Sequence, residues 1–197
     1  MYNKSIFEKE LNLISNERYR DFISKCLDNV PEYFWIIPAS SSGKYHPKAD
    51  LGKGGLIRHT KACVQVGLDL LRSEIFEKDI DVVRDLVIGS LLLHDCIKSG
   101  FEYSGHTEFL HPIYASDFIN NIYEKESDAY INEDLFNCIS LTVMCIRSHM
   151  GKWCIDDKTG KTLPVPINEL NKLVHLADYI ASRKYIDMNE IGLFEEE

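Results

Sequence analysis

The chain lacks several features that would mark it as an exported or membrane protein. No apolar run among its 197 residues is long enough to cross a bilayer, and its first residues show neither an apolar signal core nor a small-residue cleavage site. Its six cysteines include no C-x-x-C pair, and several stand among apolar neighbours, as reduced buried thiols do. These absences predict a cytoplasmic protein that does not enter a membrane.

Basic residues are scarce as well, since 22 Lys and Arg stand against 31 Asp and Glu, giving a formal net charge of -9. An extended nucleic-acid surface requires clustered cations, so we expect none. A small phosphorylated ligand stays compatible with this charge, because a bound cation and a few basic residues can reverse the field inside one pocket. The length suffices for a core without disulfides or structural metals, and no repeat or long linker divides it, so we expect a single domain over residues 1–197.

Helical periodicity dominates the chain and predicts an all-α fold. Two N-terminal helices are expected near residues 4–14 and 16–29, followed by a loop rich in Pro, Ser and Gly from Val30 to Gly55. Five core helices are then expected at about 56–73, 79–95, 111–125, 131–149 and 166–185. The segment from Gly151 to Pro166 is predicted to form a small hairpin or an ordered flap.

Histidines and aspartates fall on the apolar faces of these predicted helices. His59, His94 and His149 each continue an apolar stripe at helical spacing, and Asp178 lies beside small alanines that leave room for a carboxylate. One such histidine alone is more often a satisfied core residue. A buried carboxylate, however, must be paired or coordinate a cation, and imidazole with carboxylate makes a metal site. The set therefore predicts a metal centre, with Asp95 as its natural bridging ligand.

The same residues resemble, in type and order, the HD-domain superfamily, which is named for a His-Asp doublet. GGLIRHT around His59 resembles the family's first-ligand motif, LLHDCIK contains the doublet His94-Asp95, and LADYI resembles the segment of the final aspartate, here Asp178. The resemblance covers residues 50–185 and leaves residues 1–49 as N-terminal helices and a substrate-side loop. It implies a helical bundle of about five core helices that hydrolyses phosphate esters with bound metal.

Two further histidines resemble those of binuclear members, such as cyclic-dinucleotide phosphodiesterases and an HD-type exoribonuclease. His111 opens one helix and His149 closes another, although many binuclear members carry two adjacent histidines where this chain has His149-Met150. The resemblance implies one or two divalent ions, drawn from Mn, Mg, Fe, Ni, Co and Zn. A first ion would be held by His59, His94, Asp95 and Asp178, and a second by His111, His149 and the shared Asp95.

Two ions ~3.5 to 4 Å apart would activate a water for in-line attack on phosphorus. Asp95 and Lys98 are then the expected catalytic residues, with the Lys98 ammonium one helical turn after the doublet and within reach of a phosphate oxygen; otherwise it is a solvated cation. Further candidates for substrate binding, each of which could equally be a surface or turn residue, are Lys44, His46, Arg58, Arg147 and Arg183.

Three functions are compatible with this ligand set. The leading hypothesis is a phosphohydrolase that acts on a phosphate mono- or diester of a nucleotide or another small phosphorylated substrate. A second is a diiron oxygenase similar to inositol oxygenase, whose ligand order is the same and which also has a lysine soon after the doublet. A third is a non-catalytic nucleotide sensor that retains the pocket. Ligand order alone does not choose among them.

Overall fold

The structure is a computed structural model that describes residues 2–73, 80–126 and 133–184. Within these ranges the fold consists of helices and short 3-10 turns, with no strand or sheet, which confirms the predicted all-α class. The helices are α1 Glu8–Leu11, α2 Glu17–Asp28, α3 Gly55–Arg72, α4 Ile80–Leu93, α5 His111–Glu126, α6 Glu133–Ser148 and α7 Glu169–Ala181. The 3-10 turns are Lys4–Phe7, Glu32–Trp35, Lys48–Leu51 and Gly151–Trp153.

Helix α3 forms the centre of the bundle and packs against both α4 and α7. Its glycine at position 67 permits the close approach, since a Cβ there would lie 2.7 Å from Leu91 Cδ1 and 2.9 Å from Val87 Cγ1. Helix α6 extends this layer by packing against α4, α5 and α7. Burial of each Leu or Ile side chain in such a core contributes about 1.5–3 kcal/mol. The packing brings the ends of five helices together at one side of the bundle.

Two helices end earlier than the periodicity predicted. Helix α4 ends at Leu93, and the chain continues in tight turns in which Cys96 N donates to Leu93 O and Lys98 N donates to Asp95 O. The His94-Asp95 doublet therefore lies in a turn and not on the helix. Helix α6 ends at Ser148, so His149 also lies just beyond its helix. The apolar stripe continues through both ends, which is why periodicity alone extended the helices.

The other boundaries differ by one to four residues, and α7 ends at Ala181 where an end near residue 185 was predicted. The first predicted helix is divided into the 3-10 turn Lys4–Phe7 and the short α1, and α7 begins at Glu169 because Asn168 caps it by accepting from Asn171 N. Residues 79, 131, 132 and 185 of the predicted helices lie outside the described ranges. No helix within the described ranges is long and apolar enough to cross a membrane.

Two non-helical segments frame one face of the bundle. The segment after Trp153 forms a small hairpin, as predicted, held by a single β-bridge between Ile155 and Thr162. The loop before α3 is fixed to the start of that helix, since Ala39 N donates to Asp50 O at 2.9 Å and Leu56 N donates to Ile37 O at 3.0 Å. Both segments border the ends of the helices that carry the predicted metal ligands.

Candidate metal centre

The structure brings the six predicted metal ligands together at the side where the helix ends meet. All are buried except Asp178, whose side chain is 20% exposed. His59 lies in the first turns of α3, His111 begins α5, and Asp178 lies near the end of α7. The remaining ligands lie just beyond α4 and α6, and these are His94, Asp95 and His149.

The carboxylate of Asp95 stands between two groups of ligands. Its Oδ2 lies 3.4 Å from His94 Nε2 and 4.0 Å from His59 Nε2. Its Oδ1 lies 3.0 Å from His111 Nε2 and 3.9 Å from His149 Nε2. Each oxygen thus faces a different pair of imidazoles, which is the geometry of a carboxylate that can bridge two ions.

The group facing Oδ2 also contains Asp178 and a cysteine. Asp178 Oδ1 lies 3.0 Å from His59 Nε2 and 3.8 Å from His94 Nε2. The Sγ of Cys63 lies 3.4 Å from His59 Nε2, and its ligand atom belongs to the same cluster. Cys63 is not among the predicted ligands, although its position four residues after His59 on the same stripe is a usable signal. Burial raises the pKa of this thiol well above its usual value, so it is protonated at neutral pH.

Three of the histidines are fixed in one tautomer by the backbone. Because a carbonyl oxygen only accepts, the Nδ1 atoms of His94, His111 and His149 must donate to the carbonyls of residues 91, 108 and 146, each at 2.7 Å. A neutral ring with Nδ1 protonated carries a lone pair on Nε2, the form that binds metal. Their Nε2 atoms all point toward Asp95.

The Nε2 lone pairs of these histidines meet where buried polar atoms of the described residues have no hydrogen-bond partner. The Nε2 atoms of His111 and His149 are 3.1 Å apart, yet both rings already hold their proton on Nδ1. Among the described residues, His94 Nε2 and Asp95 Oδ1 are buried without a hydrogen-bond partner. Buried polar atoms otherwise almost always have a partner. A cation between these atoms would satisfy them, so the residues present fit divalent metal ions.

The charges also suit a cation. Burial alone would raise the pKa of Asp95, but the Lys98 ammonium, which contacts Oδ2, and then His94 bring it well below its usual value. Burial would likewise raise the pKa of Asp178, and His59 and His94 outweigh it in the opposite direction. Burial, followed by the neighbouring His111, lowers the pKa of His149 to about 3. At neutral pH the carboxylates are therefore ionised and His149 is neutral, whereas burial of His94 is outweighed by the Asp95 carboxylate, which raises the pKa of His94, so this ring would release a proton when a metal binds.

A cavity of about 310 Å³ opens beside this cluster. Asp95, Lys98 and Asp178 line its floor, and the loop before α3 lines one wall with the serines at positions 40–42. Aromatic side chains from the hairpin region and α7 also line the cavity, among them Trp153 and Tyr179. The volume suits a small-molecule ligand.

Some of the predicted substrate-binding residues line the cavity and others do not. His46 and Arg183 line the cavity, whereas Lys44 is exposed with its Nζ 5.2 Å from the centre of the Tyr45 ring. Arg147 is not among the residues lining the cavity, nor is Arg58. The guanidinium of Arg58 donates instead to the carbonyls of Ala49 and Lys53, at 2.7 and 2.9 Å, and so holds the loop before its helix.

Other residues near the centre were missed or left without a role. His175 donates from Nδ1 to His149 O at 2.6 Å, which fixes the backbone of that ligand. Gly151 passes so close to this ring, at a φ of +56°, that an added Cβ would lie 2.2 Å from His175 Cε1. Asp50 lies fully buried near His59, in a loop that gave no periodic signal. His106 is exposed.

Searches of family models, of curated proteins and of solved structures found no significant match to this chain. No relative therefore adds information on the fold or the centre, which are known only from this chain's own sequence and structure. It is a helical protein with a buried His/Asp cluster that could bind metal, and this cluster is compatible with an HD domain.

Proposed function

We propose that the chain is a metal-dependent phosphohydrolase of the HD type, acting on a phosphate mono- or diester of a nucleotide or another small phosphorylated substrate. The observation that carries the proposal is the position of Asp95, whose two carboxylate oxygens face different imidazole pairs at 3.0–4.0 Å. A cavity of about 310 Å³ at the same carboxylate leaves space for the reacting ester. Two-ion phosphohydrolases require this combination of a bridging ligand and an adjacent open pocket.

The residues have separable roles in such a reaction. Bound ions would supply an activated water and positive charge at the phosphoryl oxygens. Asp95 holds the two ligand groups together, and the buried carbonyl acceptors keep the three Nδ1-bonded imidazoles in their ligating tautomer. Lys98 offsets the charge of Asp95 and also lines the cavity, so its ammonium is available to an anionic substrate.

The walls of the cavity favour a substrate that carries a planar group. The rings of Trp153 and Tyr179 are stacked, with centroids 5.3 Å apart and an interplanar angle of 24°. The Arg183 guanidinium lies 4.2 Å from the centre of the Tyr179 ring and 5.9 Å from that of Tyr45, which is exposed. Aromatic rings and an arginine at one rim suit stacking with a nucleobase. A nucleotide is therefore the substrate we favour among phosphate esters.

The test is a hydrolysis screen with the purified protein loaded with Mn, Mg, Co or Ni. Release of phosphate or nucleoside from nucleotides, or of nitrophenol from a nitrophenyl phosphodiester, is the expected result, and it should disappear in Asp95→Asn. Tightly bound iron, oxygen consumption and no phosphate release would contradict the proposal and support the oxygenase alternative. Saturable nucleotide binding without turnover under every metal would contradict it in favour of a sensor.

The preference for a planar group has its own test. Trp153 is 41% exposed at the cavity, whereas the other tryptophan, Trp35, is 8% exposed in the core. Binding of a nucleoside monophosphate to the metal-loaded protein should quench Trp153 fluorescence, and the quenching should be lost in Trp153→Phe. Ribose 5-phosphate is the matched ligand without a base and should quench little. Equal quenching by both would exclude base stacking at Trp153.

A further inference from the structure

A second buried carboxylate, that of Asp50, lies near the centre. Asp50 lies in the 3-10 turn Lys48–Leu51 and is fully buried. Among the described residues, neither of its carboxylate oxygens has a hydrogen-bond partner. The backbone of Asp50 is hydrogen-bonded, since Asp50 O accepts from Ala39 N and so holds the loop in place. The side-chain carboxylate makes no hydrogen bond to the described residues. An ionised carboxylate in this situation requires a cation.

The nearest groups are those a metal would use. His46 Nδ1 lies 4.0 Å from Asp50 Oδ2, and it too is a buried atom without a partner among the described residues. The rings of His46 and His59 meet edge to face, with centroids 4.6 Å apart. One ligand atom from each of Asp50, His46 and His59 lies within 4.8 Å of the other two. Two imidazole nitrogens and one carboxylate oxygen suit first-row transition ions.

His59 differs from the other histidines of the centre in a way that suits this arrangement. The Nδ1 atoms of His94, His111 and His149 donate to backbone carbonyls. The Nδ1 of His59 has instead only the Cys63 thiol at 3.8 Å, which is a weak partner. Because Nε2 of His59 faces Asp178 at 3.0 Å, Nδ1 is the nitrogen left for a further ion.

We propose that Asp50, His46 and His59 form an additional divalent-cation site, which shares His59 with the ligand group that faces Asp95 Oδ2. His59 would bind one ion through each ring nitrogen and would release its ring proton to solvent as the second ion binds. His46 lines the cavity, so an ion there can enter from solvent and complete its coordination with water. The site would add positive charge to the cavity, which the serines at positions 40–42 also line. It would bind a further oxygen of an anionic ligand or increase the attraction of that ligand. The proposal stands on the buried groups and does not depend on hydrolytic activity.

The experiment measures bound Mn per chain after equilibrium dialysis, in wild type, Asp50→Asn and the exposed control Asp157→Asn. We expect Asp50→Asn to bind about one ion fewer than the other two, because the amide keeps the shape of the side chain but removes its charge. Combination with His149→Ala should remove a second ion, since the two substitutions affect different sites. Equal Mn content in wild type and Asp50→Asn would overturn the proposal and identify Asp50 as a neutral carboxyl, whose pKa burial raises.

A crystallographic measurement keeps the proposal testable if Asp50→Asn does not fold. Wild-type crystals grown with Mn should show an anomalous peak within bonding distance of the Asp50 carboxylate, in addition to peaks at Asp95. Peaks at Asp95 without one at Asp50 would overturn the additional site and leave the Asp95 centre intact. Peaks at neither position would contradict both assignments, so the two failures are distinguishable.

Discussion

Two buried polar regions of this molecule satisfy their charges in different ways. Between α1 and α3, the Lys61 ammonium donates to both carboxylate oxygens of Glu10 at 2.9 Å and to Ile6 O at 2.6 Å. In the candidate metal centre, by contrast, the Asp95 carboxylate faces four imidazoles, and its Oδ1 has no hydrogen-bond partner among the described residues. Both regions are almost inaccessible to water. The first is complete within the chain, whereas the second, in which Lys98 contacts Asp95 Oδ2, leaves Asp95 Oδ1 and His94 Nε2 without a hydrogen-bond partner among the described residues.

The difference separates a structural polar cluster from a candidate functional one. Asp85 shows the structural kind again, since its two oxygens accept from Ser15 N and Asn16 N at 2.8 Å and fix the start of α2. Burial of charge is common to both kinds and therefore does not distinguish them. The state of the acidic and imidazole atoms does: among the described residues, Asp95 Oδ1 and His94 Nε2 have no hydrogen-bond partner, whereas both carboxylate oxygens of Asp85 have one. Substitutions in the two regions should consequently change different observables.

The largest effect is expected for Asp95→Asn. Loss of the bridging charge should weaken both ligand groups, so that Mn content falls by more than one ion per chain. We expect the rate of phosphate ester hydrolysis to fall by about a thousandfold or more, at or above the ~10²–10³-fold effect of a single lost electrostatic contact. Metal analysis and steady-state kinetics measure both. Wild-type metal content in Asp95→Asn would contradict the difference drawn between the metal centre and the Glu10–Lys61 pair.

Lys61→Met should have a large effect on the stability of the fold and none on metal binding. Removal of one partner leaves Glu10 buried without its cation, and breaking a buried pair costs about 3–5 kcal/mol of unfolding free energy. Urea denaturation measures this loss, while the Mn content of the folded protein should stay unchanged. The double variant Glu10→Leu with Lys61→Met should recover much of the stability, since it leaves no unpaired charge. Loss of metal in Lys61→Met would contradict the conclusion that the Glu10–Lys61 pair is independent of the metal centre.

His149→Ala sharpens the comparison within the metal centre. This ligand belongs to the group that faces Asp95 Oδ1, and the group facing Oδ2 does not include it. We expect the loss of about one ion per chain, with a fall in rate of about 10–100-fold, while α-helical circular dichroism is retained. His106→Ala is the matched control on an exposed histidine. Unchanged metal stoichiometry in His149→Ala would show that this group holds no ion.

The smallest effect is expected for Tyr19→Phe in the satisfied core. The Tyr19 hydroxyl donates to Thr142 Oγ1, and Thr142 in turn donates to Cys138 O at 2.8 Å. Loss of one such hydrogen bond costs about 1 kcal/mol, which urea denaturation can resolve. Metal content and rate should be unchanged. An effect on metal content here would indicate that the two regions are coupled through α6.

Helical periodicity marks which face of a helix is buried, and on that basis the sequence predicted residues that the structure brings together in one buried cluster. His59 and Asp178 lie on helices whose apolar stripes place them inward, and the doublet is recognisable without any tertiary information. The helix ends were less predictable, since the tight turns after Leu93 are set by local hydrogen bonds that leave the apolar pattern unchanged. Asp50 could not be predicted at all. Its position depends on how the loop before α3 docks, through contacts between residues that no periodic pattern connects.

The cavity walls illustrate the same limit. Trp153 follows α6 and Tyr179 lies on α7, and only the packing of these segments stacks the two rings. Arg58 and Arg183 were equivalent by sequence, each lying close to a predicted ligand. The structure separates them, because the first is bonded to loop carbonyls and the second reaches the cavity. Residue type and spacing predict which side chains are buried, while the lining of the cavity depends on long-range packing.

The most direct test of the Asp95 centre is an anomalous difference map from crystals of the wild-type protein grown with Mn. We expect one peak close to Oδ1, among His111 and His149, and another close to Oδ2, among His59, His94 and Asp178. Each should lie within about 2.0–2.3 Å of its carboxylate oxygen, as for first-row ions bound by protein oxygen. A map with no peak at this carboxylate, or with a peak at only one of its oxygens, would contradict the bridging role of Asp95.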